Sequence, residues 1–111
     1  MIVITQGRYT GEAIAGMAER PEDRSKEAKR LIEAAGGKFV ASYFTFGEYD
    51  FMVLSEFEDI RQVTPMLIAV AAGGSVTGLK TTVGLNWSDG KAAFEQTREL
   101  GRSFRSAGRK K

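Results

Sequence analysis

The chain has 111 residues, of which 42% are hydrophobic and 27% charged, and its formal net charge is +2. It contains no histidine and no cysteine, which excludes histidine general bases, thiolate nucleophiles and the commonest zinc and haem ligands. No apolar run reaches the roughly 18 residues of a membrane span, and no basic and apolar signal segment is visible, so we expect a cytoplasmic protein. The acidic residues are scattered, and we expect neither a metal nor a cofactor.

Positive charge is concentrated towards the C-terminus. Residues 98–111 hold six basic residues and one acid, whereas residues 1–97 hold 10 basic and 13 acidic residues. We therefore expect a mildly acidic domain followed by a basic tail, residues 102–111, that is disordered. Phe104 is the only aromatic residue in this tail, so nucleic-acid binding is not expected.

The first part of the chain alternates strand and helix patterns. Residues 1–9 are rich in β-branched side chains and predict a strand, and residues 12–19 predict a short helix. Pro21 fits the start of a second helix. Residues 22–35 carry an apolar stripe at helical spacing, and the two glycines that follow are typical of a helix end. The stripe consists of Ala28, Leu31, Ile32 and Ala35.

The second part of the chain predicts three strands and two helices. Residues 38–46 and 51–57 predict two strands joined by a hairpin turn. For the next helix we predict a turn from Asp59 and then a helix that begins at Thr64, with Pro65 in its first position. A continuous helix with a kink at Pro65 is the alternative. Residues 75–83 predict a fourth strand, and residues 89–101 predict an additional helix.

This order of elements predicts an α+β domain of the ferredoxin-like, split βαβ type with a four-stranded antiparallel sheet. We expect the domain to span residues 1–87, the C-terminal helix 88–101 and the basic tail 102–111. Strict alternation along the second strand would place aromatic residues on both faces of the sheet, and two helices cover only one face. We expect a second copy to cover the other face, sheet against sheet. Cover by the C-terminal helix of the same chain, through Trp87 and Phe94, is the alternative.

Three segments carry a family pattern: Gly7-Arg8-Tyr9-Thr10 at the end of the first strand, residues 33–38 at the helix exit, and residues 47–51, Gly-Glu-Tyr-Asp-Phe, at the hairpin. Together they resemble the GYD domain family over about residues 1–87. The resemblance implies a ferredoxin-like domain that assembles as a dimeric α+β barrel, and it implies no particular activity. Related barrels include cofactor-free monooxygenases, haem-degrading enzymes, small isomerases and ligand-sensing domains. The haem-degrading type fits poorly, because its histidine ligand has no counterpart here.

The predicted site residues lie at strand ends. Tyr49 and Asp50 occupy the hairpin corner, where a carboxylate could accept a proton and a phenol could bind a substrate oxygen. A structural turn is the alternative, with Gly47 at positive φ and Asp50 bonded to its own backbone. Arg8 and Tyr9 are predicted at the rim of a pocket, although Arg8 fits a solvated surface position equally well.

Tyr43 is predicted as a pocket wall, although strand aromatics more often belong to a core or an interface. We therefore expect a homodimer that binds a small apolar or aromatic metabolite between sheet and helices, and cofactor-independent chemistry there is left open. The alternative is a non-catalytic interaction or regulatory domain whose basic tail docks a partner. A closed pocket of roughly 300 Å³ or more would distinguish the first function from the second.

Overall fold

A computed structural model describes residues 1–108 of the chain. Within that range the strands are β1 (Ile2–Tyr9), β2 (Lys38–Phe44), β3 (Phe51–Glu56) and β4 (Val76–Gly84). The helices are α1 (Gly11–Glu19), α2 (Ser25–Ala34), α3 (Ile60–Ala72) and α4 (Trp87–Ser103).

The four strands form one antiparallel sheet in the order β2-β3-β1-β4. β1 is therefore central, although it comes first in the chain. It pairs with β3 from Ile2 opposite Glu56 to Gly7 opposite Phe51, and with β4 on its other side. This is the strand order of a split βαβ domain, and it confirms the predicted α+β ferredoxin-like fold.

α2 and α3 pack on one face of the sheet, which we call the covered face. The side chains enclosed between them form the core: Val3, Ile32, Phe57, Val63 and Met66. Burying a side chain of this kind contributes roughly 1.5–3 kcal/mol. The opposite face, which we call the open face, carries Ile4, Met52 and Leu54 by register, and each of them remains partly exposed.

α3 begins earlier than predicted. The Asp59 carboxylate accepts the Arg61 N–H, and the Gln62 side chain accepts the Asp59 N–H, which together make a capping box. The helix therefore starts directly after Asp59 and continues through Pro65, so the predicted start at Thr64 is wrong. The missing N–H of Pro65 falls near the N-terminal end of the helix, where only one helical hydrogen bond is lost.

An irregularity in β2 changes which side chains share a face. The register between β2 and β3 shifts between Phe39 and Ala41, so Val40 is an extra residue in β2. Such a bulge reverses the in–out alternation of the residues that follow it. The predicted strict alternation along this strand is therefore wrong, and Tyr43 lies on the open face. The residues of β2 that share the covered face are Phe39, Ser42 and Phe44.

The bounds of two helices also differ from the prediction. α2 begins at Ser25, and Pro21 lies in the connection before it rather than in its first turn. α4 extends through Arg102 and Ser103, the first two residues of the predicted tail. Residues 109–111 of that tail lie outside the described part of the chain.

α4 projects from the rest of the domain. Every residue of this helix except Gly90 is exposed, and the described chain measures 63 Å along its long axis against 30 and 23 Å across. Trp87 and Phe94 keep 85% and 73% of their surface exposed, so they do not cover the open face of their own sheet. α4 is nevertheless a well-capped helix, since the Asn86 side chain accepts the Asp89 N–H at 2.9 Å.

Candidate functional site

Asp50 connects three parts of the sheet at the hairpin corner. Its N–H donates to the Gly7 carbonyl at 2.8 Å, and its carbonyl accepts the Thr45 N–H at 2.9 Å. Its carboxylate accepts the Tyr9 N–H at 2.9 Å, beyond the point where the ladder between β1 and β3 ends. Gly47 has φ +121, as the turn interpretation predicts. The carboxylate of Asp50, however, bonds the backbone of β1 rather than that of its own turn.

Tyr49 and Arg8 contact each other beside the open face. The Arg8 guanidinium carbon lies 4.9 Å from the centre of the Tyr49 ring, and the Lys80 ammonium lies 6.0 Å from it. Arg8 also forms a long ion pair with Glu48, with 3.7 Å between the nitrogen and the oxygen. Exposed cation–π contacts contribute about 0.5–1 kcal/mol, and exposed ion pairs contribute about that or less. This cluster is therefore weakly held.

Tyr9 lies on the covered face, one residue away from Arg8 but on the other side of the sheet. Its ring packs against Phe51 with 5.2 Å between the ring centres. Gly7 makes room for that ring, because a Cβ at this position would lie 2.6 Å from the Phe51 side chain. Burial raises the pKa of the Tyr9 phenol above its ordinary value, and the positive charge of the neighbouring Arg24 partly offsets that rise.

An inner cavity of about 110 Å³ lies between the covered face and the helices α2 and α3. Its walls are mostly apolar, with Leu31 from α2 and Met66 and Val70 from α3. Its floor, in contrast, contains three hydroxyl side chains from three different strands. They are Thr5 of β1, Ser42 of β2 and Ser55 of β3.

Two of these hydroxyls make few bonds within the protein. Ser55 is 1% exposed, and its hydroxyl donates to the Val3 carbonyl over 3.5 Å, longer than the roughly 2.5–3.0 Å of a typical O–H···O bond. Thr5 is 8% exposed, and its hydroxyl makes no hydrogen bond to another described residue. No side-chain oxygen or nitrogen of residues 1–108 is both fully enclosed and without a partner, so the Thr5 hydroxyl keeps some access to solvent. Both hydroxyls line space that a ligand could occupy.

A larger outer cleft of about 570 Å³ adjoins the inner cavity and is open to solvent. It lies between the edge strand β2 and the segment that includes α1 and its connection to α2, with Met17 and Pro21 among its lining residues. Tyr9 and Arg24 line both spaces. Together they form the mouth through which the inner cavity meets the outer cleft.

The five predicted site residues do not form one site. Tyr9 lies at the mouth of the inner cavity, whereas Arg8 and Tyr49 contact each other beside the open face. Tyr43 pairs with Met52 by register and is exposed, and it lines the outer cleft together with Tyr9. Asp50 bonds backbone groups at the sheet end.

The sequence interpretation missed Arg24 and the three floor hydroxyls. One sequence signal was available, because Ser55 lies between Val53 and Phe57 at strand spacing, where a third apolar residue is expected. Within residues 1–108, no three acidic side chains are close enough together to hold a metal ion. The same part of the chain contains no helix that is both long enough and apolar enough to cross a membrane.

The model of the GYD domain family matches residues 3–94. This chain belongs to the GYD domain family. The match confirms the predicted resemblance and includes the sheet except Ile2, the inner cavity with its mouth, and the Gly47–Asp50 corner that carries the Gly-x-Tyr-Asp pattern. No curated protein matches the chain. The GYD domain covers only the first part of α4.

Proposed function

We propose that this GYD domain protein binds a small apolar or aromatic molecule with one anionic group in the inner cavity. One observation carries the proposal: the Ser55 hydroxyl, with only a long hydrogen bond, and the Thr5 hydroxyl, with none to another described residue, lie on the floor of a mostly apolar space. A core that served packing alone would place Val or Ile at these positions, because a hydroxyl among apolar side chains needs a hydrogen-bond partner.

The volume of the inner cavity limits the size of the ligand. Its roughly 110 Å³ is close to the volume of engineered apolar cavities, about 150 Å³, that bind one benzene molecule. It falls below the roughly 300–1,000 Å³ of pockets that hold drug-sized ligands, so the inner cavity alone does not reach the pocket size set above for distinguishing the two functions. A single ring or a short branched chain therefore fits the inner cavity, and larger substituents would extend into the outer cleft.

Arg24 could pair with a negatively charged group on that ligand, against the carboxylates of Glu27 in the inner cavity and of Glu22 and Asp23 in the outer cleft. Arg24 offers a planar set of donors that matches a carboxylate, and the Tyr9 phenol lies next to it. The ion pair between Arg24 and Glu22, 3.1 Å long, is exposed and therefore weak. A ligand carboxylate could replace Glu22 at little cost, with the ring held inside.

Tyr9 is the group on which cofactor-independent chemistry at this site would depend. Burial raises the pKa of its phenol, so the group is protonated at neutral pH and would donate a proton rather than accept one. Binding is the first part of the proposal to test, since any chemistry requires it.

The binding test uses three ligands of similar size: benzoate, toluene and benzylamine. We expect benzoate to raise the thermal midpoint and to perturb amide NMR signals of β1 and α2, toluene to do so more weakly, and benzylammonium to have no effect. Absence of any response to all three ligands at millimolar concentration would contradict the proposed site.

Matched variants locate the binding. Arg24→Gln should remove the preference for benzoate over toluene, whereas Arg20→Gln, an exposed arginine in the same connection, should preserve it. Thr5→Val should weaken benzoate binding. Thr81→Val should not, because Thr81 pairs with Thr5 across β1 and β4 but does not line the inner cavity. Equal effects of the two members of a pair would place the ligand elsewhere.

The homodimer is part of the same proposal. The open face remains partly apolar in the single chain, and exposed Val40 and Tyr43 extend that surface along β2. Contact with a second copy would remove this surface from water. Size-exclusion chromatography with light scattering should show a dimer at micromolar concentration, and a monomer there would contradict this part of the proposal.

A non-catalytic interaction domain is the second candidate function, and the exposure of α4 favours it. The two functions are compatible, because the inner cavity and α4 lie in different parts of the molecule.

A further inference from the structure

α4 is amphipathic, and its apolar side covers nothing. At about 100° per residue, its apolar and small residues fall within a sector of roughly 140°. We call this sector the α4 stripe, and it consists of Trp87, Gly90, Ala93, Phe94, Thr97, Leu100, Gly101 and the C-cap residue Phe104. The charged residues Lys91, Glu95, Arg98, Glu99 and Arg102 lie outside this sector on the other side of the helix, and Asp89 lies at the edge of the stripe.

A helix in this position requires a partner. Isolated helices of up to about 15 residues are marginal in water, and α4 is only slightly longer, with glycines at two positions that weaken it further. Helices of globular proteins gain most of their stability from packing of the apolar side. α4 gains little from its own chain, because none of its residues is buried.

The α4 stripe offers enough area for a stable interface. Trp87, Phe94 and Phe104 are 85%, 73% and 71% exposed. Aromatic side chains bury roughly 150–250 Å² each, so the three together offer roughly 350–550 Å² per copy. In a symmetric dimer there are two such contacts, and each stripe also buries an equal area on the partner copy. The total area removed from water is then roughly 1,400–2,200 Å², which reaches the about 1,200–2,000 Å² that specific, stable interfaces bury.

We propose that the α4 stripe packs on the partner copy in a symmetric dimer. Each chain leaves two apolar surfaces without cover, the open face and the α4 stripe, and a second copy is a partner that can cover both in one symmetric contact. α4 extends roughly 25 Å at 1.5 Å per residue, which exceeds the width of a four-stranded sheet. It is therefore long enough to reach across a neighbouring copy. This inference depends on the proposed homodimer.

The test uses Trp87, the single tryptophan of the chain. Sedimentation equilibrium and tryptophan fluorescence are recorded on the intact chain over a dilution series. We expect a dimer whose emission is shifted to the blue and protected from acrylamide, and both properties should disappear as dilution produces monomer. Solvent-like emission in the dimer would overturn the placement of α4 and leave the homodimer standing. A monomer at all concentrations would overturn both.

Adjacent alanines inside and outside the α4 stripe supply a matched pair of variants. Ala93→Glu introduces a charge into the α4 stripe and should weaken the dimer at least about tenfold, with a red shift of Trp87 emission. Ala92→Glu makes the same change outside the stripe, next to Asp89 and Glu95 on the helix surface, and should leave the dimer within about twofold of the wild type. Both substitutions are at the exposed end of the molecule, so circular dichroism should show an intact fold.

Equal dissociation constants for the two variants would overturn the inference. A monomer with buried Trp87 would also overturn it, because α4 would then fold onto its own chain.

Discussion

The two faces of the sheet carry polar groups of different kinds. The covered face holds uncharged ones, the hydroxyls of Thr5 and Ser55, below α2 and α3. The open face has charged groups beside it, Arg8 and Lys80 around the Tyr49 ring, and these remain in contact with water. Tyr9 and Arg24 lie between these extremes, at the boundary of the inner cavity.

This difference follows from the cost of burial. An unpaired hydroxyl can be enclosed for about 1–3 kcal/mol, whereas an unpaired charge costs far more and stays in water or finds a partner. Polar groups deep inside the protein can therefore only be neutral ones. Charged groups stay where water reaches them, as at the mouth of the inner cavity. The comparison predicts that substitutions at the covered face change stability or ligand binding, and that those beside the open face have small effects on the single chain.

Two phenylalanines give the largest expected contrast. Phe57 is buried in the core, and Phe46 is exposed in the hairpin beside the open face. Phe57→Ala should reduce the free energy of unfolding by about 3–5 kcal/mol, because it removes buried area and leaves a cavity. Phe46→Ala should change it by less than about 0.5 kcal/mol. Urea denaturation at a fixed protein concentration measures both, and similar losses would break the comparison.

Asp50 and Glu48 give an intermediate contrast within one turn. Asp50→Ala leaves the Tyr9 N–H without its acceptor and should cost about 1–3 kcal/mol. Asp50→Asn keeps an acceptor oxygen and should recover most of that loss. Glu48→Ala removes only the long exposed pair with Arg8 and should cost less than about 0.5 kcal/mol. If Asp50→Asn were as destabilising as Asp50→Ala, the charge of the carboxylate rather than its hydrogen bond would matter.

Tyr9 should produce the smallest effect, and only at high pH. Its pKa is raised in the folded state, chiefly by burial, so the native protein holds this proton more tightly than the unfolded chain does. The resulting stability is fully present below the ordinary tyrosine pKa of about 10 and is lost as the pH rises through the folded pKa. Unfolding free energy measured from about pH 8 to about pH 11 should fall more steeply for the wild type than for Tyr9→Phe. Parallel curves would contradict burial of the phenol.

Much of the fold was predictable because strand and helix patterns are local. The order of elements and the Gly47 turn were predicted correctly. The start of α3 was predicted wrongly. Pro65 is typical of a first helical position, but the capping box of Asp59 and Gln62 sets the start of this helix. The bulge at Val40 could not be predicted, because it appears only when β2 is aligned with β3, and alternation within one strand contains no such information.

The candidate site was less predictable, because its residues are brought together by contacts between distant parts of the chain. Tyr9 lay in a recognisable motif, but the partner of the Asp50 carboxylate is 41 residues away in the chain. Thr5 and Ser42 flank Val53 in one row across β1, β3 and β2, a neighbourhood that exists only once the register is known. Arg24 reaches Tyr9 from the connection before α2, and that contact depends on how the helices pack.

The central position of β1 has a consequence for the order of folding. β1 is synthesised before both of its neighbours, β3 and β4, which come much later in the chain. The hairpin of β2 and β3 can form locally, but the sheet closes only after β1 has paired over long stretches of sequence, and such loop closures slow folding. β1 is an apolar strand without partners during that interval. The chain is therefore most prone to aggregation before β4 has paired with β1, and least prone once β4 covers the second edge of β1.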